Sequence, residues 1–322
     1  MNDGGYRKYE ESIGRNYERP MRTIVERAKK AGVTVVVGSP GVVDTYTFRR
    51  GQEGVAETYN ENLAQLGKIA QKVAADNGMV FADVHGAMMD AMTKAKAKYG
   101  QECPVAGGDG VHPGDNGQLV MAYAFLKAMG LDGNVGTITV DLKGGATATD
   151  GHKVLSAEKG VVEVESSRYP FCFPGDPKRK DSYAGILPFV PFNQDLNRFE
   201  LVVKNLPGGK AKVQWGKQTK EFSADELAKG VNLAAEFLDN PFRPAFQKVW
   251  NEVGNKENFE TRMIKGLITN FRSFGGKGDE YKEVRETMAA LGKQLMTIQE
   301  KLDAQARAAV VPVKHTIKII AE

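Results

Sequence analysis

Cysteine and histidine are scarce in this sequence, and long apolar runs are missing. Two cysteines in 322 residues, Cys103 and Cys172, cannot make a disulfide framework. They read as two free, partly buried thiols, with a single bridge left open for an oxidising compartment. The four histidines, His85, His112, His152 and His315, lack metal-ligand spacing, so no metal is expected. No stretch approaches the roughly 18 apolar residues of a membrane-spanning helix. An excess of one charge sign is lacking too. The 44 basic and 40 acidic residues are interspersed to a net +4. That leaves no electrostatic footprint for nucleic acid or an anionic membrane. Residues 2–20 are polar and charged, unlike a secretory leader. What is present is ordinary globular composition, 41% hydrophobic and 26% charged, with enough chain for two domains. Nothing in it implies a cofactor, and the oligomeric state is left open.

The first 130 residues alternate between helix and strand patterns. Residues 6–31 recur apolar at helical spacing, with Pro20 as a kink or break and Gly32 as the stop. Residues 33–37 (VTVVV) read as a short strand buried on both faces of a parallel sheet. Leu63, Leu66, Ile69, Ala70 and Val73 mark a second helix, residues 79–84 a second strand and residues 86–99 a third helix. Ser39 precedes a proline at a strand end, which favours a turn over a nucleophile. His85 follows the second strand with no Asp three residues before it, which favours a bond to nearby backbone.

After residue 132 the period changes to 2. Residues 137–142, 161–166, 199–203 and 210–215 read as strands, the last two as a hairpin around Pro207-Gly208-Gly209. Residues 169–192 read as an irregular excursion. Ser223-Ala224-Asp225-Glu226 is a capping box, Pro241 and Pro244 start a further helix, and residues 257–274 and 279–309 are helical. Residues 313–320 alternate as a final strand that should return to a small antiparallel sandwich.

The stretch with chemical content is residues 107–117, GGDGVHPGDNG. Its glycines let the backbone fold tightly enough for Asp109 to reach His112. A carboxylate accepting from Nδ1–H fixes the imidazole tautomer and frees Nε2 as a base. Pro113 has the preset φ of a helix start, and Leu119, Ala122, Tyr123, Leu126 and Met129 follow at helical spacing.

Gly108-Asp109-Gly110-Val111-His112-Pro113, followed by Asn116-Gly117 and an apolar helix, resembles the last conserved block of the SGNH (GDSL-type) esterases. Met1-Asn2-Asp3-Gly4 resembles that family's G-x-N-D block without its glycine. The resemblance implies an α/β fold, a doubly wound (flavodoxin-like, three-layer αβα) parallel sheet lacking its first units. It makes Asp109 and His112 two members of a Ser-His-Asp triad and Asn2 an oxyanion donor, with Asp3, Tyr46, Arg49 and Arg50 lining the cleft. The family's Gly-Asp-Ser block has no counterpart here, so no nucleophile is expected in this chain. An N-terminal truncation of two or three strand–helix units, roughly 60–90 residues, is the expectation.

Leu206-Pro207-Gly208, residues 230–234 (GVNLA), Asn240-Pro241-Phe242 and His315-Thr316-Ile317 resemble an accessory region found after the esterase domain in some bacterial members. The implied organisation is a partial hydrolase domain over 1–132, a β-rich sandwich-like accessory domain over 133–240, a helical insertion over 241–310, and a returning strand over 311–322. The implied activity is hydrolysis of short-chain acyl esters, such as acetyl esters of carbohydrate-like substrates, with the chain as given inactive. The alternative is a non-catalytic carbohydrate- or protein-binding or structural protein. Secretion and a cytoplasmic location both stay open.

Overall fold

The computed structural model describes residues 2–48, 54–176, 178–271, 274 and 278–322. Contacts divide the chain into two compact units. One is Met1–Asn134 with Phe173–Arg198; the other is Val135–Cys172 with Phe199–Glu322. The architecture is mixed α/β, with a short parallel sheet in the first unit and a five-stranded antiparallel sheet in the second.

In the first unit, helix α1 (Glu11–Lys30) buries Ile13, Gly14 and Val25 and packs on α2 (Val55–Asn77). Helix α1 starts later than the apolar spacing suggested. Gly5 and Tyr6 have φ of 65° and 55°, a left-handed pair that turns the chain before a helix can begin. Pro20 lies inside α1 without ending it. Gly32, at φ 72°, does end it: Val33 N–H donates back to the Ala28 carbonyl at 2.9 Å, a closure that needs the left-handed residue between them.

Strand β1 (Val36–Gly38) pairs in parallel with β2 (Val80–Ala82), Val37 opposite Phe81. The apolar run at 33–37 suggested a longer strand. With a neighbour on one side, the ladder closes over three residues, and the other edge of β1 has no strand partner among the described residues. Beside that edge, Val35, Val36 and Val37 with Met21 and Ile24 of α1 line an apolar groove of about 380 Å³.

Helix α2 buries Tyr59, Leu63, Leu66, Ala70 and Val73 completely. Helix α3 (Val84–Tyr99) starts where strand was expected, because the Asp83 carboxylate accepts from Gly86 N–H at 2.9 Å and caps it. Helix α4 (Asp115–Ala128) and the short α5 (Phe192–Leu196) follow, joined by Tyr123 O–H donating to Asp195 at 2.7 Å.

The second unit contains, apart from the first residue of β3 and of β7, β3 (Asn134–Asp141), β4 (Gly145–Ala148), β5 (His152–Glu158), β6 (Val161–Ser166), β7 (Arg198–Lys204), β8 (Lys210–Trp215), β9 (Gln218–Ser223), β10 (Val231–Asn232) and β11 (Val313–Ala321). They form two sheets, ordered β10-β7-β3-β4 and β5-β6-β11-β8-β9. Both sheets contribute to one core that includes Ile138, Val164, Phe199, Leu201, Val213, Trp215 and Ile317. Each fully buried aliphatic or Phe side chain of this kind stabilises by roughly 1.5–3 kcal/mol.

Strands β7 and β8 lie in different sheets, so the hairpin expected between them is instead a crossover. Gly208 there, at φ 93°, passes so close to the Glu322 carbonyl that a Cβ would meet it at 2.4 Å. The tight hairpin is one strand further on, with β8 and β9 joined through Gly216-Lys217 and Trp215 opposite Gln218. Helix α6 (Ala224–Lys229) starts at the Ser223/Glu226 capping box, and α7 (Leu233–Glu236) follows.

Helix α8 (Arg243–Met263) is continuous through the position where a new helix was expected, and runs into a π-helical turn at Ile264–Asn270. It packs against α9 (Lys282–Ala308), and the Lys256–Asp303 and Glu260–Gln299 contacts make the pair antiparallel. Strand β11 then enters the middle of the five-stranded sheet, turning His315, Ile317 and Ile319 inward.

A buried polar chain crosses this sheet. Trp215 Nε1 can only donate, so His315 Nδ1 must accept from it, at 3.2 Å. His315 Nε2–H then donates to Ser166 Oγ at 2.9 Å, and Ser166 O–H to His152 Nδ1 at 2.8 Å. His152 Nε2–H ends the chain on the Val135 carbonyl at 2.9 Å. Every proton is assigned, and both imidazoles are neutral.

Candidate active site

The Asp109–His112 turn lies in the first unit, between α3 and α4. Gly107 and Gly110 bound it at φ 87° and 77°, and Gly110 N–H donates to Gly107 O at 3.0 Å. A Cβ on Gly107 would meet the His112 carbonyl at 1.8 Å, and one on Gly110 would meet the Phe48 backbone at 2.5 Å. Asn116 and Gly117 have structural work as well. The buried Asn116 donates to Pro104 O at 3.1 Å, and a Cβ on Gly117 would meet Val105 O at 2.1 Å. Gly114 is extended, so α4 starts at Asp115, two residues beyond the proline.

Within the turn Asp109 makes three hydrogen bonds. Its Oδ2 lies 2.6 Å from His112 Nδ1, and its Oδ1 accepts from Val111 N–H at 3.0 Å and His112 N–H at 2.9 Å. The His112 imidazole, and then the two backbone N–H groups, hold the Asp109 carboxyl well below the usual carboxylate range. In the neutral imidazole, the carboxylate selects the Nδ1–H tautomer of His112 and places the lone pair on Nε2. The His112 side chain is 84% exposed, and no described residue is hydrogen-bonded to Nε2. Chemically this is an oriented base open to solvent.

Asn2 and Asp3 lie on a single 3-10 turn, Asn2–Gly4. Tyr6 O–H donates to Asn2 Oδ1. Gly4 packs on the Tyr59 ring, and its carbonyl accepts from Asn62 at 3.0 Å. The Tyr6 ring stacks on Phe48 at 5.8 Å between centroids. Phe48 also abuts Gly110, and Val111 lies in the same apolar cluster. One cluster thus anchors both the Asn2 turn and the Asp109 turn.

Asp3 lines the groove beside β1. Tyr46 is 40% exposed, with its O–H 3.4 Å from Glu102 and Lys96 Nζ 5.7 Å from its ring centre. Arg49 and Arg50 lie outside the described residues. Ser39 is buried; its Oγ accepts from His85 N–H at 2.8 Å, and His85 Nδ1 lies 3.1 Å from Gly41 O. Cys103 and Cys172 are free and buried, and burial pushes the Cys172 thiol up to about 12.

Among the described residues there is no cluster of three or more His, Cys, Asp or Glu suited to a metal ion. None of their helices is long and apolar enough to cross a membrane.

The first unit therefore presents an imidazole oriented by a carboxylate, on the loop between α3 and α4. No family model matches the sequence, and no curated protein does. Over its whole length the chain matches 82% of the solved structure of BT4096, a gut microbial diltiazem-metabolizing enzyme, with a TM-score of 0.68 and 22% identity. At that identity the likeness establishes a shared fold.

Proposed function

We propose that this chain carries the acid–base half of an SGNH-type carboxylic ester hydrolase. The observation that carries the reading is the 2.6 Å contact of Asp109 Oδ2 with His112 Nδ1, beside an exposed Nε2. His112 takes the proton of an attacking serine as the serine oxygen bonds to the ester carbonyl, then returns it to the leaving alcohol. Water repeats the sequence on the acyl-enzyme and releases the acid. Asp109 steadies the imidazolium throughout. The Asn2 amide donates to the oxyanion, a contact worth roughly 2.7–4 kcal/mol of barrier when rigidly held.

No hydroxyl meets His112 Nε2 among the described residues, so the serine is assigned to polypeptide bearing a Gly-Asp-Ser block, and residues 1–322 alone are inactive. The substrate class is a small-molecule ester with a short acyl group, acetyl esters of carbohydrates included. This accords with the small molecule that BT4096 metabolizes. The missing hydroxyl equally favours a second reading, a non-catalytic binding protein.

Turnover of p-nitrophenyl acetate separates the two. The chain alone should be silent. A form extended with a Gly-Asp-Ser segment should turn over, with a loss of about 10⁴-fold in Asp109→Asn and abolition in His112→Ala. An extended form that stays silent, or whose turnover survives His112→Ala, removes the esterase reading.

A further inference from the structure

The Asp109 turn does not stand alone. Both of its bounding carbonyls are gripped by residues of the 44–48 loop. Asp44 N–H donates to Gly110 O at 2.9 Å, and Thr47 Oγ donates to Gly107 O at 3.0 Å. The shape of that loop is set in turn by the Asp44 side chain, whose Oδ1 accepts from Tyr46 N–H at 2.9 Å and Thr47 N–H at 3.0 Å. The Asp44 side chain is completely buried, and its Oδ2 has no hydrogen-bond partner among the described residues.

A buried carboxylate needs a counter-charge. It comes from Lys96 of α3, 5% exposed, whose Nζ lies 2.9 Å from Asp44 Oδ1. The same ammonium donates to the carbonyl of Gln101, on the segment that leads into Gly107. Lys96 thus ties the loop before the turn to the loop beneath it.

We infer that Asp44, Thr47 and Lys96 are positioning residues for the Asp109–His112 pair, fixing the turn so that the carboxylate holds the imidazole in its Nδ1–H tautomer. This rests on the hydrolase reading for its purpose, but not for its test. Gly107, Gly110 and Val111 of the turn are buried, but the paired side chains are not, with Asp109 57% and His112 84% open. Apart from the packing of Val111, the pair's geometry depends on what holds the turn's backbone. Water competes for the exposed Asp109–His112 bond, and a backbone allowed to relax would let the carboxylate swing away from Nδ1.

The test reads the tautomer directly, in protein with ¹⁵N-labelled histidine. Four imidazoles are present, and His112→Gln assigns the resonance. Wild type should give the Nδ1–H form of His112 as the predominant neutral species. Thr47→Val, which removes one hydroxyl and keeps the shape, should make it a minor one, and Thr47→Ser should restore it. Asp44→Asn should act as Thr47→Val does. Circular dichroism and the melting temperature establish that each variant is folded. A folded Thr47→Val protein with the wild-type tautomer overturns the inference, as does failure of Thr47→Ser to restore it. A wild type without the Nδ1–H form instead removes the acid–base pair, and with it the proposed function. If Thr47→Val unfolds, Asp44→Asn decides by the same criterion. If both unfold, the loop holds the fold instead of the tautomer, and the inference fails.

Discussion

Acidification should unlock the second unit, and the amount can be worked from His315. Its ring is 5% exposed, accepts from Trp215 at Nδ1 and donates to Ser166 from Nε2. Neither nitrogen can take up a proton without breaking this order. Burial first, and then the neighbouring His152, lower the His315 pKa from 6.5 to about 4. The unfolded chain therefore binds the proton more tightly than the folded one. Stability is whole above about pH 6.5, falls as pH drops from there towards 4, and loses nothing more from this group below that.

Two and a half pH units at about 1.4 kcal/mol each give a loss of about 3 kcal/mol. A domain has only about 5–15 kcal/mol in total. Burial also lowers the pKa of His152, so it adds in the same direction. Urea unfolding followed by tryptophan fluorescence, at pH 7.5 and pH 4.5, measures the change. The midpoint should fall by about 1–3 M at an m-value of 1–3 kcal/mol/M. His315→Gln removes the titrating group and should flatten the pH dependence, though it is less stable at pH 7.5. Equal losses in wild type and His315→Gln would refute the reasoning.

Two further outcomes are expected. Lys96→Met strands the buried Asp44 carboxylate and should cost about 3–5 kcal/mol. Adding Asp44→Asn should recover part of that, as judged from thermal melts. The edge of β1 that has no strand partner among the described residues, beside exposed Ile24 and Val33, should make the chain self-associate. Sedimentation velocity should show mass rising with concentration, and Val35→Lys should suppress it. A monomer at all concentrations would remove that expectation.

What was legible in the sequence was local. Leu63, Leu66, Ala70 and Val73 announced α2 because one helix buries them on one face. Ser223 and Glu226 announced α6 because a capping box closes within four residues. The alternation of His315, Ile317 and Ile319 announced a strand half-buried in a sheet. The Asp109–His112 spacing was visible for the same reason: a turn with two residues between them makes the contact.

What was not legible depended on partners far along the chain. Strand β5 carries a register shift between Val154 and Ser156 that breaks its alternation. Residues 173–198 belong by contact to the first unit, although they lie between strands of the second. Lys96 looked like any solvated lysine on a helix, since its counter-ion is 52 residues earlier. Tyr6 reads as helix until its left-handed φ is known.

The two tryptophans, Trp215 and Trp250, both belong to the unit that lacks the acid–base pair. Indole emission is therefore blind to the half of the molecule where chemistry is proposed. A sample whose fluorescence looks native could already have lost its Asp109 turn. Following that half needs a reporter placed in it, such as an indole at the partly buried Phe125, before any emission-based melt is taken to describe the whole protein.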